Sequence, residues 1–422
     1  MPNTIQTNSL TTLVAVRAAE SAPYFTVGSK KWFANQLEDK RNGNTYRFVI
    51  RDTAGAYEGT AIQATDKTYI TEREVTLTIR NFRVGLETGG IERVTSLDWD
   101  PEIAEPNGQK LANKAVRAII DNSVDENGNF HIGDFAKAGT CFVGRGFSPM
   151  SRASAHLASI TSENLYGFCD PNVEAILTSN GQQFVPVSAP DMYSKGLLGK
   201  FHGAEYRSQR FFPSVVISTK NAAGTASEFD NGAVTVTSYT LGTEATGDTL
   251  VLGATALTSS LKKGTPIFID GVFATDTVGD PTSMLHSFIV VQDATASNNS
   301  ITVKVAHIDV EGNGTRSVCD ANGDNFVVAS GVVTSFANKA ISIPEDGIYY
   351  MGMVRANGAF EFETLNKIDA AGADYEKVNV EGLNIHQNRL VDLEKLTNWT
   401  RWDMPTLAGI VEPRLVSLFL IK

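Results

Sequence analysis

Gln109-Lys-Leu-Ala-Asn-Lys-Ala-Val-Arg-Ala-Ile-Ile120 sets a helix inside a chain that otherwise reads mostly as strands. Leu111, Ala115 and Ile119 recur at a spacing of four, as do Ala112, Val116 and Ile120. Together they make one apolar stripe, while Lys110, Lys114 and Arg117 fall on the opposite side. The helical reading extends over 98–124. Asp100 offers an N-cap and Pro101 suits a first turn. Pro106-Asn107-Gly108 interrupts the start, so the early part is expected to be kinked or separate. Asp125 to Gly128 ends the element.

On the N-terminal side, residues 45–84 read as strands. In Thr68-Tyr-Ile-Thr-Glu-Arg-Glu-Val-Thr-Leu-Thr-Ile-Arg80, Val75, Leu77 and Ile79 fall on one face and Thr76, Thr78 and Arg80 on the other. Thr45-Tyr-Arg-Phe-Val-Ile-Arg51 is its natural partner. Asp52 to Lys67 between them is polar and holds Gly55 and Gly59, which predicts a long hairpin with an elaborate tip. The first 30 residues carry little charge and are rich in Thr, Ala, Ser and Val. They are expected to form either a core strand or an arm that orders against a neighbour.

On the C-terminal side the chain is mixed up to 220. Helices are predicted over 149–163 and 170–177, the second opening on Asp170 and Pro171, and a strand over 211–217. Residues 226–336 differ. Val234-Thr-Val-Thr237, Thr249-Leu-Val-Leu252, Pro266-Ile-Phe-Ile269, Ser287-Phe-Ile-Val-Val291, Ile301-Thr-Val-Lys-Val305 and Phe326-Val-Val328 are short β-rich runs. Turn signals separate them at Asn231-Gly232, Asp270-Gly271, Asn298-Asn299 and Asn322-Gly323. This predicts a separate, small antiparallel barrel. Beyond it, 341–343 and 348–354 return to strand, a helix is expected over 391–399, and 411–421 should be a strand that closes the core. The fold class is α+β.

Composition narrows the function. Charged residues make up 20% of the 422 residues and the net charge is -11, with no dense run of Lys and Arg. A dedicated nucleic-acid binder needs a basic face to neutralise phosphates, so none is expected. Three cysteines, Cys141, Cys169 and Cys319, with no CxxC spacing do not make a disulfide framework and fit a reducing compartment. The polar stretch Met1 to Thr12 gives no sign of a secretory signal, and no apolar run approaches the length of a membrane span.

Motifs that would carry catalysis fail one by one. Gly199-Lys200 lacks the following hydroxyl and the upstream glycine of a phosphate loop. Gly144-Arg-Gly146 has no third glycine, and Gly146-Phe-Ser148-Pro-Met150 has no second glycine for a nucleophile elbow. The six His residues are scattered, without HxH or HExxH. Asp125-Glu-Asn-Gly-Asn129, Asp309-Val-Glu-Gly-Asn-Gly314 and Asp320-Ala-Asn-Gly-Asp324 read as turns, not calcium loops. No catalytic residue, cofactor site or metal site is assigned, and no enzyme is expected.

The succession of elements resembles the Hong Kong 97-type major capsid fold of tailed bacteriophages. The helix segment Gln109 to Val116 is similar to that family's spine helix. Leu250-Val-Leu-Gly-Ala-Thr-Ala-Leu257 and Leu261-Lys-Lys-Gly-Thr-Pro-Ile-Phe-Ile-Asp-Gly-Val-Phe273 look like the inserted barrel of the short-tailed Salmonella-type coat proteins. Ala340-Ile-Ser-Ile-Pro-Glu-Asp-Gly-Ile348 looks like the strand after it. The resemblance implies an N-terminal arm over 1–36, an extended hairpin region over 37–97, and a spine helix with peripheral domain over 98–165. An axial domain over 166–225 and 337–390 would be split by the insert at 226–336, and 391–422 would close the peripheral domain. It implies icosahedral self-assembly in the host bacterial cytoplasm into a virion head. Its partners would be other copies, a scaffolding protein, a portal protein and possibly a decoration protein, with DNA enclosed without sequence-specific binding and no membrane. Some members of the class join subunits by Lys–Asn links. None is expected here, because Lys67 sits in a polar tip between Thr65, Asp66 and Thr68. The rival readings are a tail or decoration component and a carbohydrate-active enzyme with an accessory β-domain.

Overall fold

The central helix spans Glu105–Ile120 in the computed structural model, and it buries the predicted stripe: Leu111, Ala112, Ala115, Val116, Ile119 and Ile120. The structure describes residues 4–30, 45–51, 72–89, 103–179, 197–201, 203–210, 212–220, 229, 233–255, 257–311, 315–365, 374–392 and 397–422. Pro106-Asn107-Gly108 does not break the helix. Pro106 lies in its first turn, where a missing N–H costs nothing, and the Asn107 side chain donates to the Ile103 carbonyl at 2.8 Å. Asp100 and Pro101 lie outside the described residues.

Gly108 is there for a neighbour. A Cβ at this position would stand 2.6 Å from the Val14 carbonyl oxygen and 2.8 Å from Arg17 Cβ. The neighbour is a second helix, Thr4–Ser21, and it overturns the expectation of a core strand. Val14, Ala15, Ala18 and Ala19 are buried at helical spacing, and a short helix Pro23–Thr26 continues the segment with Tyr24 and Phe25 buried. Small side chains let the two helices approach closely, so this segment finds its apolar partner within its own chain.

Two large sheets form the body. In the first, the strand order is Thr140–Gly144, Val416–Ile421, Gly347–Ala356, Leu165–Cys169, Ala204–Ser208 and Leu197–Phe201, with Ser214–Ile217 also pairing Gly347–Ala356. Every residue of Val416–Ile421 is buried, which accounts for its nearly continuous apolar sequence. Helix Ser148–Ile160 packs against this sheet. The second sheet centres on Thr397–Ile410, flanked by Arg80–Gly89 on one edge and by Leu383–Asp392 and Phe360–Thr364 on the other. The predicted helix over 391–399 is corrected here. Leu390 pairs with Trp399 and Asp392 with Thr397 across two antiparallel strands, and 393–396 lie outside the described residues. Leu393 and Leu396 alone are too short a pattern to fix a helical period.

Residues Phe229 to Ile341 build their own hydrophobic core. Among the described residues it lies between two open sheets, with a short pair of strands, Ser260–Leu261 and Ala294–Thr295, beside them, and not inside a closed barrel. One has the order Ser300–Val305, Asp248–Gly253, Thr235–Thr240, Val332–Val333 and Val328–Ala329. The other joins Pro281–Ile289, Pro266–Thr275 and Val318–Cys319, with Ile341–Ser342 also on Pro266–Thr275. Asp270-Gly271 is not a turn between strands: Gly271, at φ +68°, sits at a bulge within the continuous strand Pro266–Thr275, where the register shifts. Asn298 and Asn299, with φ of 51° and 62°, do form the expected tight turn. Asn231-Gly232 lies outside the described residues.

The entry and exit of this unit are tied together. Ser214–Ile217 runs antiparallel to Gly347–Ala356, and Asp346 accepts from the Thr219 amide at 2.8 Å and its hydroxyl at 2.7 Å. An insertion whose ends already meet adds little strain to the host sheet.

Gly108→Val should cost roughly 2–3 kcal/mol of stability, because the helices cannot separate without opening the core beneath them. Gly108→Ala should cost less. Urea unfolding of the full chain reads both, and an unchanged midpoint for Gly108→Val would contradict the close approach.

Candidate functional site

The motif fragments have structural places. Gly199-Lys200 is inside the edge strand Leu197–Phe201, and Gly144-Arg-Gly146 ends Thr140–Gly144 and turns into helix Ser148–Ile160. Cys141, Cys169 and Cys319 are buried thiols, and burial raises the pKa of each. Asp125 accepts from the amides of Asn127 and Asn129 at 2.9 and 2.8 Å, and from the side chains of Asn129 and His131. These donors, the Asn129 side chain foremost, hold its pKa far below the usual range. Asp320 accepts in the same way from the amides of Asn322 and Asp324. Both carboxylates are therefore engaged in closing turns. Among the described residues, no group of three His, Cys, Asp or Glu is placed to hold a metal. Among them, too, no helix is long and apolar enough to cross a membrane.

Two charged clusters inside the molecule were not foreseen. Arg355, in the strand Gly347–Ala356, is completely buried. Its guanidinium lies 4.0 Å from the centre of the Phe360 ring, 4.5 Å from Tyr24 and 4.8 Å from Phe168. It donates to the carbonyls of Tyr24 and, at 2.7 Å, of Val27. Burial lowers its pKa to about 10, still far above neutrality, so the charge persists. The Tyr24 hydroxyl donates to Asp134 at 2.8 Å, and the Ile410 amide donates to the other carboxylate oxygen at 3.2 Å. Burial raises the pKa of Asp134. The N-terminal segment is thus clamped to both large sheets through one tyrosine. The signal in the sequence is a lone Arg at the end of the apolar run Tyr349 to Val354.

The second cluster joins three parts of the chain. Among the described residues, strands Thr45–Arg51 and Glu72–Thr78 pair only with each other, as a two-stranded ribbon. Tyr46, Arg73, Val75 and Leu77 of the ribbon are buried, while Arg47, Val49, Glu72 and Glu74 are exposed. Arg73 occupies the inward set of the alternation, a position the pattern reserves for apolar residues. Its guanidinium donates to the Val411 carbonyl at 2.7 Å and lies 3.5 Å from both Asp309 and Glu412. Arg414 grips Glu412 through two bonds of 2.8 Å. Burial pushes Glu412 up, but Arg73 and Arg414 outweigh it and hold its pKa below the usual value. The hairpin tip, with Lys67, lies outside the described residues.

Large apolar side chains are exposed on several sides: Val49 on the ribbon, Val216 and its cross-strand neighbour Ile348, Val278 and Val327 on the inserted unit, and Trp399 on the second sheet.

No protein-family model and no curated protein matches the chain. Among solved structures, it is similar to a chain from Mycobacterium phage Che8, at 10% identity over 93% of this chain and 89% of that one, with a TM-score of 0.41. It is also similar to the capsid of Ralstonia phage GP4, at 7% identity over 90% and 84% of the two chains and a TM-score of 0.40. The capsid of the cyanophage P-SCSP1u gives 11% identity, 90% and 84% coverage and a TM-score of 0.35.

Arg73→Met should destabilise the chain by about 3 kcal/mol, because Asp309 and Glu412 lose a buried counter-charge. The double variant Arg73→Met with Glu412→Gln should recover part of that loss. Denaturant unfolding checks both. A harmless Arg73→Met would show that the ribbon is not anchored there.

Proposed function

We propose that this chain is the major capsid protein of a tailed bacteriophage, a non-enzymatic subunit that assembles with its own copies into an icosahedral head around the genome. The observation that carries the reading is the ribbon. Two strands joined to no larger sheet are marginal in water, and this pair, which has no further strand partner among the described residues, leaves Arg47, Val49, Glu72 and Glu74 exposed along its outer face. Its inner face is held by the body, so the outer face is available to another subunit.

The remaining features fit a shell subunit. Different edges must each be covered by a different neighbour, and the exposed apolar residues are distributed in that way: ribbon, sheet edge, inserted unit and second sheet. Each contact can be weak, because a closed shell multiplies it. The acidic balance suits a container that encloses DNA without gripping it. In this reading the other partners are a scaffolding protein and a portal protein, with a decoration protein as an optional addition, and assembly takes place in the host bacterial cytoplasm. The unit from Phe229 to Ile341 is the counterpart of the domain inserted in the short-tailed Salmonella-type coat proteins, built here as two open sheets.

Expression with the scaffolding protein of the same phage, followed by electron microscopy, tests the proposal. Closed particles are expected. Tubes, or soluble oligomers alone, would favour a tail or decoration component. Glycan hydrolysis by the purified chain would favour the enzyme reading. Boiled in detergent with reductant, the particles should run as a single band near 45.5 kDa, because no covalent links are expected. A ladder of multiples would overturn that.

A fragment covering 226–343 should fold alone, since its core is its own. A dispersed amide NMR spectrum is expected, and a collapsed one would remove the independent unit.

A further inference from the structure

The buried charges under the ribbon extend into the inserted unit, and one member is a histidine. His307 follows the strand Ser300–Val305, and its Nδ1 lies 2.8 Å from Asp248, a fully buried carboxylate at the start of Asp248–Gly253. The Asp248 side chain also accepts from the Tyr239 hydroxyl at 2.8 Å, the Gly242 amide at 2.7 Å and the Ile308 amide at 3.1 Å. The other ring nitrogen of His307 is 3.9 Å from Asp309, whose second oxygen faces Arg73 of the ribbon. Glu244, in the turn before Asp248, accepts from the backbone amide of Thr76, also in the ribbon. The ribbon is thus attached to the inserted unit at two points, Arg73 to Asp309 and Thr76 to Glu244, and His307 lies 3.9 Å from the carboxylate at the first and within the field of the carboxylate at the second.

The charges around it are unbalanced. Asp248 and Asp309 lie against the ring, and the charge of Glu244 acts on it as well. Glu412, behind Asp309, is shared between Arg73 and Arg414. Four carboxylates therefore meet two guanidinium groups, and a protonated imidazole reduces the excess. On its other side His307 shares a narrow crevice with Lys137 and His286. Burial holds His286 at a pKa of about 3, so it stays neutral where His307 titrates.

We propose that His307 is a proton-operated latch that fastens the two-stranded ribbon to the inserted unit when charged and loosens it when neutral. Burial alone would favour the neutral ring. The bond to Asp248 and the charges of Asp248, Asp309 and Glu244 outweigh it, and His307 stands above its ordinary 6.5. A pKa raised by folding means that the stabilisation is complete below about 6.5 and is lost as pH rises through the folded value. Above that, Asp309 and Glu244 repel each other across a neutral ring, and the ribbon's attachment weakens. The device belongs to the single chain and does not depend on the shell proposed above.

The test uses the full chain with isotope-labelled histidine rings. The His307 resonance, identified by its loss in His307→Gln, should titrate with a midpoint above 6.5 in the wild-type protein. A midpoint at or below 6.5 overturns the proposal. Hydrogen exchange of the segment 72–78, corrected for the intrinsic pH dependence of exchange, should quicken roughly fivefold between pH 6 and pH 8.5, the scale set by losing one partly exposed charge-assisted hydrogen bond. His307→Gln should exchange quickly at both pH values and His307→Lys slowly at both. Exchange that keeps the wild-type pH dependence in His307→Gln, or no pH dependence in the wild type, overturns the latch. If the Gln variant fails to fold, His307→Lys supplies the assignment, and the wild-type titration and exchange decide.

Discussion

The strand Val416–Ile421 lies between Thr140–Gly144 and Gly347–Ala356, parallel to the first and antiparallel to the second. The first large sheet cannot be completed until its C-terminal strand arrives, which ties together segments from the middle and the end of the chain. Such non-local pairing is slow to form, because the closure of a long loop precedes any gain in contacts. The inserted unit does not lengthen that search in proportion to its size. Its ends meet at Ile217 and Gly347, so it can fold as a closed loop of its own beside the host sheet.

Around this frame the chain places charges where a core would normally hold apolar groups. Arg355 is tolerated because three aromatic faces and two backbone carbonyls replace its water, and the same contacts pin the N-terminal segment. Arg73 is tolerated because Asp309, Glu412 and the Val411 carbonyl surround it. Neither arrangement is stronger than a well-packed apolar one would be. What each provides is a specific attachment: of the N-terminal segment to both large sheets in one case, of the ribbon to the body in the other.

The ribbon shows how far the alternating pattern could be read. Val75 and Leu77 are buried as their spacing requires, and the same parity carries Arg73 inward. Alternation marks the face but not the partner, and Asp309 and Glu412 are remote in sequence. The N-terminal segment was misread for a related reason. Its alanines and valines are compatible with strand or helix, and the choice fell to a groove on the central helix that only Gly108 leaves open. One turn expected between 226 and 336 was misread: Asp270-Gly271 has the chemistry of a turn, yet two flanking strands hold Pro266–Thr275 continuous, so the glycine sits at a bulge.

The sequence by itself determined the local elements whose periodicity spans several turns or pleats: the central helix, helices Ser148–Ile160 and Pro171–Ser179, the ribbon strands and most strands of the inserted unit. It also determined the absence of any recognisable catalytic motif and the acidic balance, since both depend only on which residues are present. Tertiary structure alone decided that Thr4–Ser21 is a packed helix, that residues around Trp399 are strand, and that the sheets of the inserted unit stay open. It also decided that Arg73, Asp309, Glu412 and His307 meet. The physical reason is the same throughout. Backbone periodicity and capping act over a few residues and are written locally. The burial of a charge, or the choice between helix and strand for a short apolar run, depends on groups hundreds of positions away that the fold brings into contact.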